Sequence, residues 1–120
     1  MIDYKKEKII GESKSIRDHE TKGIMLDESK AQKLADMISE RMKWPKFTVT
    51  ISNSQRVTRR RATVWVNDRR IILYKKTGGN NVCTVLHEMA HNAGWNHNKI
   101  FQFTHLNLIS LWDKEFKNLL

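Results

Sequence analysis

The stretch HEMAHNAGWNH, residues 87–97, places three histidines and one glutamate within a few positions of one another. His87 and His91 are four residues apart. On a helix that spacing puts both side chains on one face, one turn apart, so two imidazole nitrogens can meet at one point. Such a pair binds Zn²⁺. Glu88 follows the first histidine and is rotated around the helix. It is placed to reach a water on the ion rather than the ion itself, which is the position of a general base.

A catalytic zinc takes a third protein ligand and keeps one position open. His97 is the candidate. It lies six residues beyond His91, roughly 600° of helical rotation, so an unbroken helix would point its side chain about 120° away. Gly94 is expected to supply the break by closing the helix in the left-handed conformation. The full pattern, H-E-x-x-H-x-x-G-x-x-H, is the metzincin form of a zinc motif. One zinc per chain is expected, on His87, His91 and His97, with Glu88 as base. His105 and Glu115 are the rival third ligands, but their ordinary readings, a hydrogen-bonded residue at the core edge and a solvated charge, are preferred. Cys83 stands one turn before His87. A lone helical cysteine is more often a small buried apolar residue, so it is left out of the site.

These residues need elements to hold them. Ala31, Leu34, Ala35, Ile38 and Met42 recur at helical spacing and predict a helix over about 28–43, capped by Asp27 or Ser29 and stopped at Pro45. The period then changes to two: Phe47, Val49 and Ile51 alternate with threonines, the mark of a half-buried strand. Two more strands are expected at about 62–66 and 70–75, with Asn67 and Asp68 turning between them. TGGNN ends the sheet, and Asn80 or Asn81 caps a motif helix over about 82–93. A last helix over about 98–118 carries an inward stripe of Phe101, His105, Leu108, Trp112, Phe116 and Leu119. The expected fold is α+β: an N-terminal helix, a small, mostly antiparallel three-stranded sheet, the motif helix and a C-terminal helix. Residues 1–26 read as a loosely held arm and residues 27–120 as one domain.

The chain has 120 residues and a net charge of +9. Its length suits one domain with a modest core. No stretch is apolar enough to span a membrane, and the N-terminus lacks the apolar core of a signal peptide. With a single cysteine, a cytoplasmic, reducing location is expected, as a monomer. The positive charge favours polyanions, and much of it is gathered between residues 56 and 76. Arg59, Arg60, Arg61, Arg69 and Arg70 are the candidate nucleic-acid contacts, forming a ridge on the hairpin. The alternative is that they disperse into water from opposite faces of a strand.

Residues 82–112 resemble the small SprT-like and WLM-type zinc metallopeptidases, the group that includes the Spartan proteases. The resemblance rests on TVLHEMAHN, on His97 and Phe101 four apart in HNKIF, and on the amphipathic helix that follows. It extends more weakly to residues 28–118. His87, Glu88, His91 and His97 fall on the family pattern as first ligand, base, second ligand and third ligand. Two departures stand out. Asn98, not glycine, follows the third histidine, and no methionine follows Met89, so a metzincin Met-turn is absent. The resemblance implies a zincin-like minimal core that cleaves proteins bound or crosslinked to DNA.

The expectation is therefore a zinc metallopeptidase, an endopeptidase whose protein substrate lies along an edge strand, 62–66 or 70–75, with DNA held by the basic hairpin. His105, Tyr74 or an arginine could add a second electrophile. Two alternatives stand beside it: a peptidase that clips a DNA-bound repressor, and a nucleic-acid-binding module whose zinc is structural.

Overall fold

The computed structural model of the protein describes residues 23–53, 60–94 and 96–120. Among the described residues, three helices and one three-stranded sheet make up an α+β fold. Helix α1 spans Glu28–Met42. Asp27 caps it by accepting the Lys30 N–H at 2.8 Å, and Glu28 adds negative charge in the first turn. It ends three residues before Pro45. Lys43 takes the left-handed conformation, and the Trp44 N–H reaches back to the Ser39 carbonyl. Ala31, Leu34, Ala35 and Ile38 are buried, as their spacing predicts.

The strands are β1 (Thr48–Ser52), β2 (Ala62–Trp65) and β3 (Arg70–Tyr74). β3 is central. It pairs antiparallel with β2 through the 66–69 turn, where the sequence put a hairpin, and parallel with β1. The sheet is therefore mixed, where a mostly antiparallel one was expected. Alternation marks which residues face inward but carries no information on strand order, and inserting β3 between β1 and β2 makes one pairing parallel.

The outer edge of β1 is sealed by α1. The Gln32 side chain accepts the Val49 N–H and donates to the Phe47 carbonyl, both at 2.8 Å, and Glu28 accepts the Ile51 N–H at 2.9 Å. Strand edges left with bare amides invite pairing. Here two helix side chains occupy that edge.

Helix α2 (Val82–Ala90) packs against α1, against β2 and β3, and against α3 (Lys99–Lys114). The core lies among them: Val49, Ile71 and Leu73 from the sheet, Leu34 and Ile38 from α1, Val85, Leu86 and Met89 from α2, and Phe101, Leu108 and Trp112 from α3. The inward stripe of α3 continues through Phe116, but Leu119 is exposed. The helix gives way to a 3₁₀ turn at Phe116–Asn118, so helical spacing no longer sets direction there.

Two features place the start of α2. Asn81 caps it, accepting the Thr84 N–H at 2.8 Å and donating to the Gly78 carbonyl at 2.8 Å. Gly79 lies so close to β2 that a Cβ would overlap the Arg61 carbonyl, so only glycine fits. Residues 1–22 of the expected arm lie outside the described residues, but its end is part of the domain. Leu26 is buried, its N–H donates to the Asn80 carbonyl at 2.8 Å, and the Asn80 amide returns a bond to the Leu26 carbonyl at 3.0 Å. Among the described residues no helix is long and apolar enough to cross a membrane.

Candidate metal centre

His87 and His91 project from the same face of α2, with ring centroids 5.1 Å apart. The helix ends at Ala90 and tightens into a 3₁₀ turn over His91–Ala93. The chain then reverses, and Asn98 caps α3 by accepting the Phe101 N–H at 3.0 Å. His97 is thereby set just before α3, facing back across the turn. Its ring centroid stands 5.0 Å from that of His87 and 5.0 Å from that of His91. One ligand atom from each of the three histidines falls within 4.8 Å of the others, close enough for all three to hold one metal ion.

The Nε2 atoms of His87 and His97 are 3.2 Å apart. Two nitrogens bound tetrahedrally to one zinc at about 2.0–2.1 Å stand roughly 3.3 Å apart. This pair is therefore spaced as two ligands of one metal ion would be.

Gly94 acts differently from expectation. Its φ is 174° and its ψ 142°, extended backbone that any residue adopts, not the left-handed conformation. The 3₁₀ turn already closes the helix, with the Gly94 N–H bonded to the His91 carbonyl at 3.1 Å, so no left-handed residue is needed. The contribution of Gly94 is its carbonyl, which accepts the Nδ1–H of His91 at 3.0 Å. A carbonyl can only accept, so Nδ1 carries the proton and Nε2 is left as the ligand atom.

Beneath the histidines lies Phe101, fully buried. Its ring centroid is 5.0 Å from that of His87, 4.5 Å from that of His91 and 4.8 Å from that of His97, so one ring touches all three. Gln102, the next residue, donates to the His97 carbonyl at 2.8 Å. The first turn of α3 therefore supports both the rings and the loop. The aromatic residue four after His97 was visible in the sequence as part of a core stripe and of the family resemblance, but not as a support for the three rings.

His105 is buried one turn further along, edge-on to His87 with centroids 5.3 Å apart. It lies inside the fold rather than at the core edge. Glu115 stands at the far end of α3 and pairs with Arg41 at 3.3 Å. Cys83 is buried and is not one of the clustered ligands.

Burial holds the His87 imidazole down at about 3, helped by the neighbouring charges of His105, His91 and His97. Burial also lowers His91, against the opposing hydrogen bond to Gly94. Both rings are therefore neutral at pH 7, the form that ligates metal. Burial pushes the Glu88 carboxyl up to about 7, while the charge of Arg60 pulls it the other way. A carboxyl in that range can both accept and release a proton near neutrality.

The basic residues expected to form one ridge are divided. Arg59 lies outside the described residues. Arg60 and Arg61 are exposed at the entry to β2, and Arg60 is close enough for its charge to act on Glu88. Arg70 is exposed and lies over the Trp65 ring, 4.5 Å from its centroid. Arg69 does not belong to a solvent-facing ridge. It is half-buried, its guanidinium donating to the Asn92 side chain at 2.6 Å and to the Pro45 carbonyl, above the Phe47 ring at 3.8 Å. A left-handed backbone at Arg69, φ 52°, turns its side chain inward at the hairpin.

Comparison of the chain with protein families, curated proteins and solved structures finds no match.

Proposed function

We propose that this protein is a zinc-dependent endopeptidase of the SprT-like and WLM type, acting on proteins bound or crosslinked to DNA. The observation that carries the reading is the triangle of His87, His91 and His97 with Glu88 beside it on the same helix. Three imidazole donors suit zinc among the common biological cations. A structural zinc is normally closed by four protein ligands. Among the described residues the cluster has three, which favours a site with room for a reactant over a purely structural one.

When bound, zinc supplies Lewis acidity, bringing the pKa of water toward neutrality and offsetting charge on a carbonyl oxygen. Glu88 removes the proton from the attacking water and delivers it to the leaving amine. The Gly94 carbonyl fixes the His91 ring, and Gln102 holds the backbone that carries His97, while this happens. Strand order narrows the choice of edge for the substrate. β3 is interior and the β1 edge is occupied by Gln32 and Glu28, so the substrate strand is assigned to β2, which packs beside α2. Arg61 and Arg70, exposed on the same hairpin, are the proposed phosphate contacts.

Glu88→Gln tests this reading. It keeps shape and hydrogen bonding but removes the base. Cleavage of a DNA-bound protein should fall by about a hundredfold or more, with zinc content unchanged. Wild-type turnover in that variant would remove Glu88 as the base, and absence of cleavage by the wild type would end the peptidase assignment. Cleavage of one DNA-bound repressor and not of other DNA-bound proteins would narrow the substrate to a regulatory one.

A further inference from the structure

We propose that Arg69, acting through Asn92, is a positioning residue for the metal centre. The inference rests on the reading of the three histidines as metal ligands. Asn92 is the middle residue of the 3₁₀ turn His91–Ala93, directly after the second ligand. Its Oδ1 accepts from Arg69 at 2.6 Å, across 23 residues of sequence. The same guanidinium donates to the Pro45 carbonyl and lies over Phe47, 3.8 Å from the ring centroid. Arg69 thus ties three segments together: the β2–β3 turn, the approach to β1, and the end of α2.

The arrangement is costly, which argues that the direction of the guanidinium matters. Arg69 occupies left-handed backbone, worth roughly 1–2 kcal/mol against a residue with a Cβ. Its Nε is buried without a hydrogen-bond partner, and desolvation lowers the stability of its charge. An apolar residue would avoid the buried donor and the partly desolvated charge. It could not offer two donors in a fixed plane, one to Asn92 and one to Pro45.

The consequence falls on the ligands. Asn92 and Ala93 could both continue α2 as ordinary helix. Continuation would carry position 97 about 120° away from the His87–His91 face. Holding Asn92 toward the hairpin stabilises the tighter turn. That turn brings the Gly94 carbonyl to His91 Nδ1 and sends the chain back so that His97 meets His87. The clamp acts on geometry and touches neither metal nor substrate.

The test compares Asn92→Ala and Asn92→Asp with the wild type in full-length protein. Zinc affinity is read by chelator competition, ligand geometry by the visible absorption of the Co²⁺-loaded protein, and stability by melting of the metal-free protein. Asn92→Ala should bind zinc about tenfold more weakly and show a weaker Co²⁺ band, with the metal-free melting temperature nearly unchanged. Asn92→Asp keeps an acceptor for the guanidinium and should restore both metal readouts. With Arg69→Met as background, Asn92→Ala should cause no further loss; if Arg69→Met does not fold, the two Asn92 variants decide. Wild-type affinity and spectrum in Asn92→Ala, equal losses in Asn92→Asp, or losses that multiply in the double variant would overturn the proposal. A wild type that binds neither Zn²⁺ nor Co²⁺ would instead overturn the metal centre, and the positioning role with it.

Discussion

The Nε2 atoms of His87 and His97 stand 3.2 Å apart, although the first belongs to a helix and the second to the loop beyond its end. That separation suits two ligands of one tetrahedral zinc. His97→Ala should therefore weaken zinc binding by more than the roughly 10–100-fold typical of losing an outer contact. Glu115→Ala, which removes a carboxylate already paired with Arg41, should leave zinc affinity unchanged. Chelator competition on the two variants checks both statements, and the reverse ranking would displace His97 as the third ligand.

Glu88 should weaken the metal-free fold at high pH. Its carboxyl is raised to about 7 from an ordinary 4.5, so the folded chain holds that proton more tightly than the unfolded chain. Its stabilising effect is complete below pH 4.5 and is lost as pH rises through 7. Glu88→Gln has no charge to bury. At pH 8 the metal-free variant should be more stable than wild type by about 1–3 kcal/mol, and at pH 4 the two should match. The depressed His87 and His91 act in the opposite sense, losing stability as pH falls, but they are common to both proteins and cancel in the comparison. Equal melting temperatures at pH 8 would count against a buried, poised carboxyl.

The two glycines that flank α2 should respond differently to alanine. At Gly94 the backbone is extended and the nearest atom to an added Cβ is the Asn98 side chain at 3.4 Å, so Gly94→Ala should keep its zinc affinity and melting temperature. At Gly79 an added Cβ overlaps the Arg61 backbone. Gly79→Ala should be destabilised by roughly 1–3 kcal/mol, the usual range for overpacking. Thermal melts of the pair would show whether the close approach of α2 to β2 is as tight as this.

Phe101 should matter to the metal as well as to the core. Phe101→Leu keeps an apolar side chain but removes the flat ring that meets all three histidines. A stability loss of about 1–2 kcal/mol is expected from imperfect refilling, together with weaker zinc binding. Unchanged zinc affinity despite that loss would make Phe101 a core residue only.

Nucleic-acid contact should depend on Arg61 and Arg70. Each phosphate contact contributes a little under one unit to the slope of log affinity against log salt. Arg61→Ala with Arg70→Ala should therefore weaken DNA binding and flatten that slope by about one to two units, with zinc content unchanged. If binding is the same at every salt concentration, these arginines are only a solvated surface.

Much of this molecule is written in local patterns. The spacing of Ala31, Leu34, Ala35 and Ile38 marked α1 and its buried face. The period-two run at Phe47, Val49 and Ile51 marked β1, and Asn81 before an apolar helix marked the start of α2. His87, Glu88 and His91 could be read as a unit because a helix converts a spacing of four into a shared face, whatever surrounds it. The convergence of His97 required only that the helix stop between it and His91. What lay beyond local pattern was everything set by contacts distant in sequence. The parallel pairing of β1 with β3 follows from strand order, which hydrophobic alternation does not encode. The extended backbone of Gly94 follows from a 3₁₀ turn held in place by neighbouring segments. Arg69 read as one more surface charge because composition cannot tell a guanidinium in water from one enclosed by Asn92, Pro45 and Phe47; that difference arises only when the hairpin is folded against the end of α2.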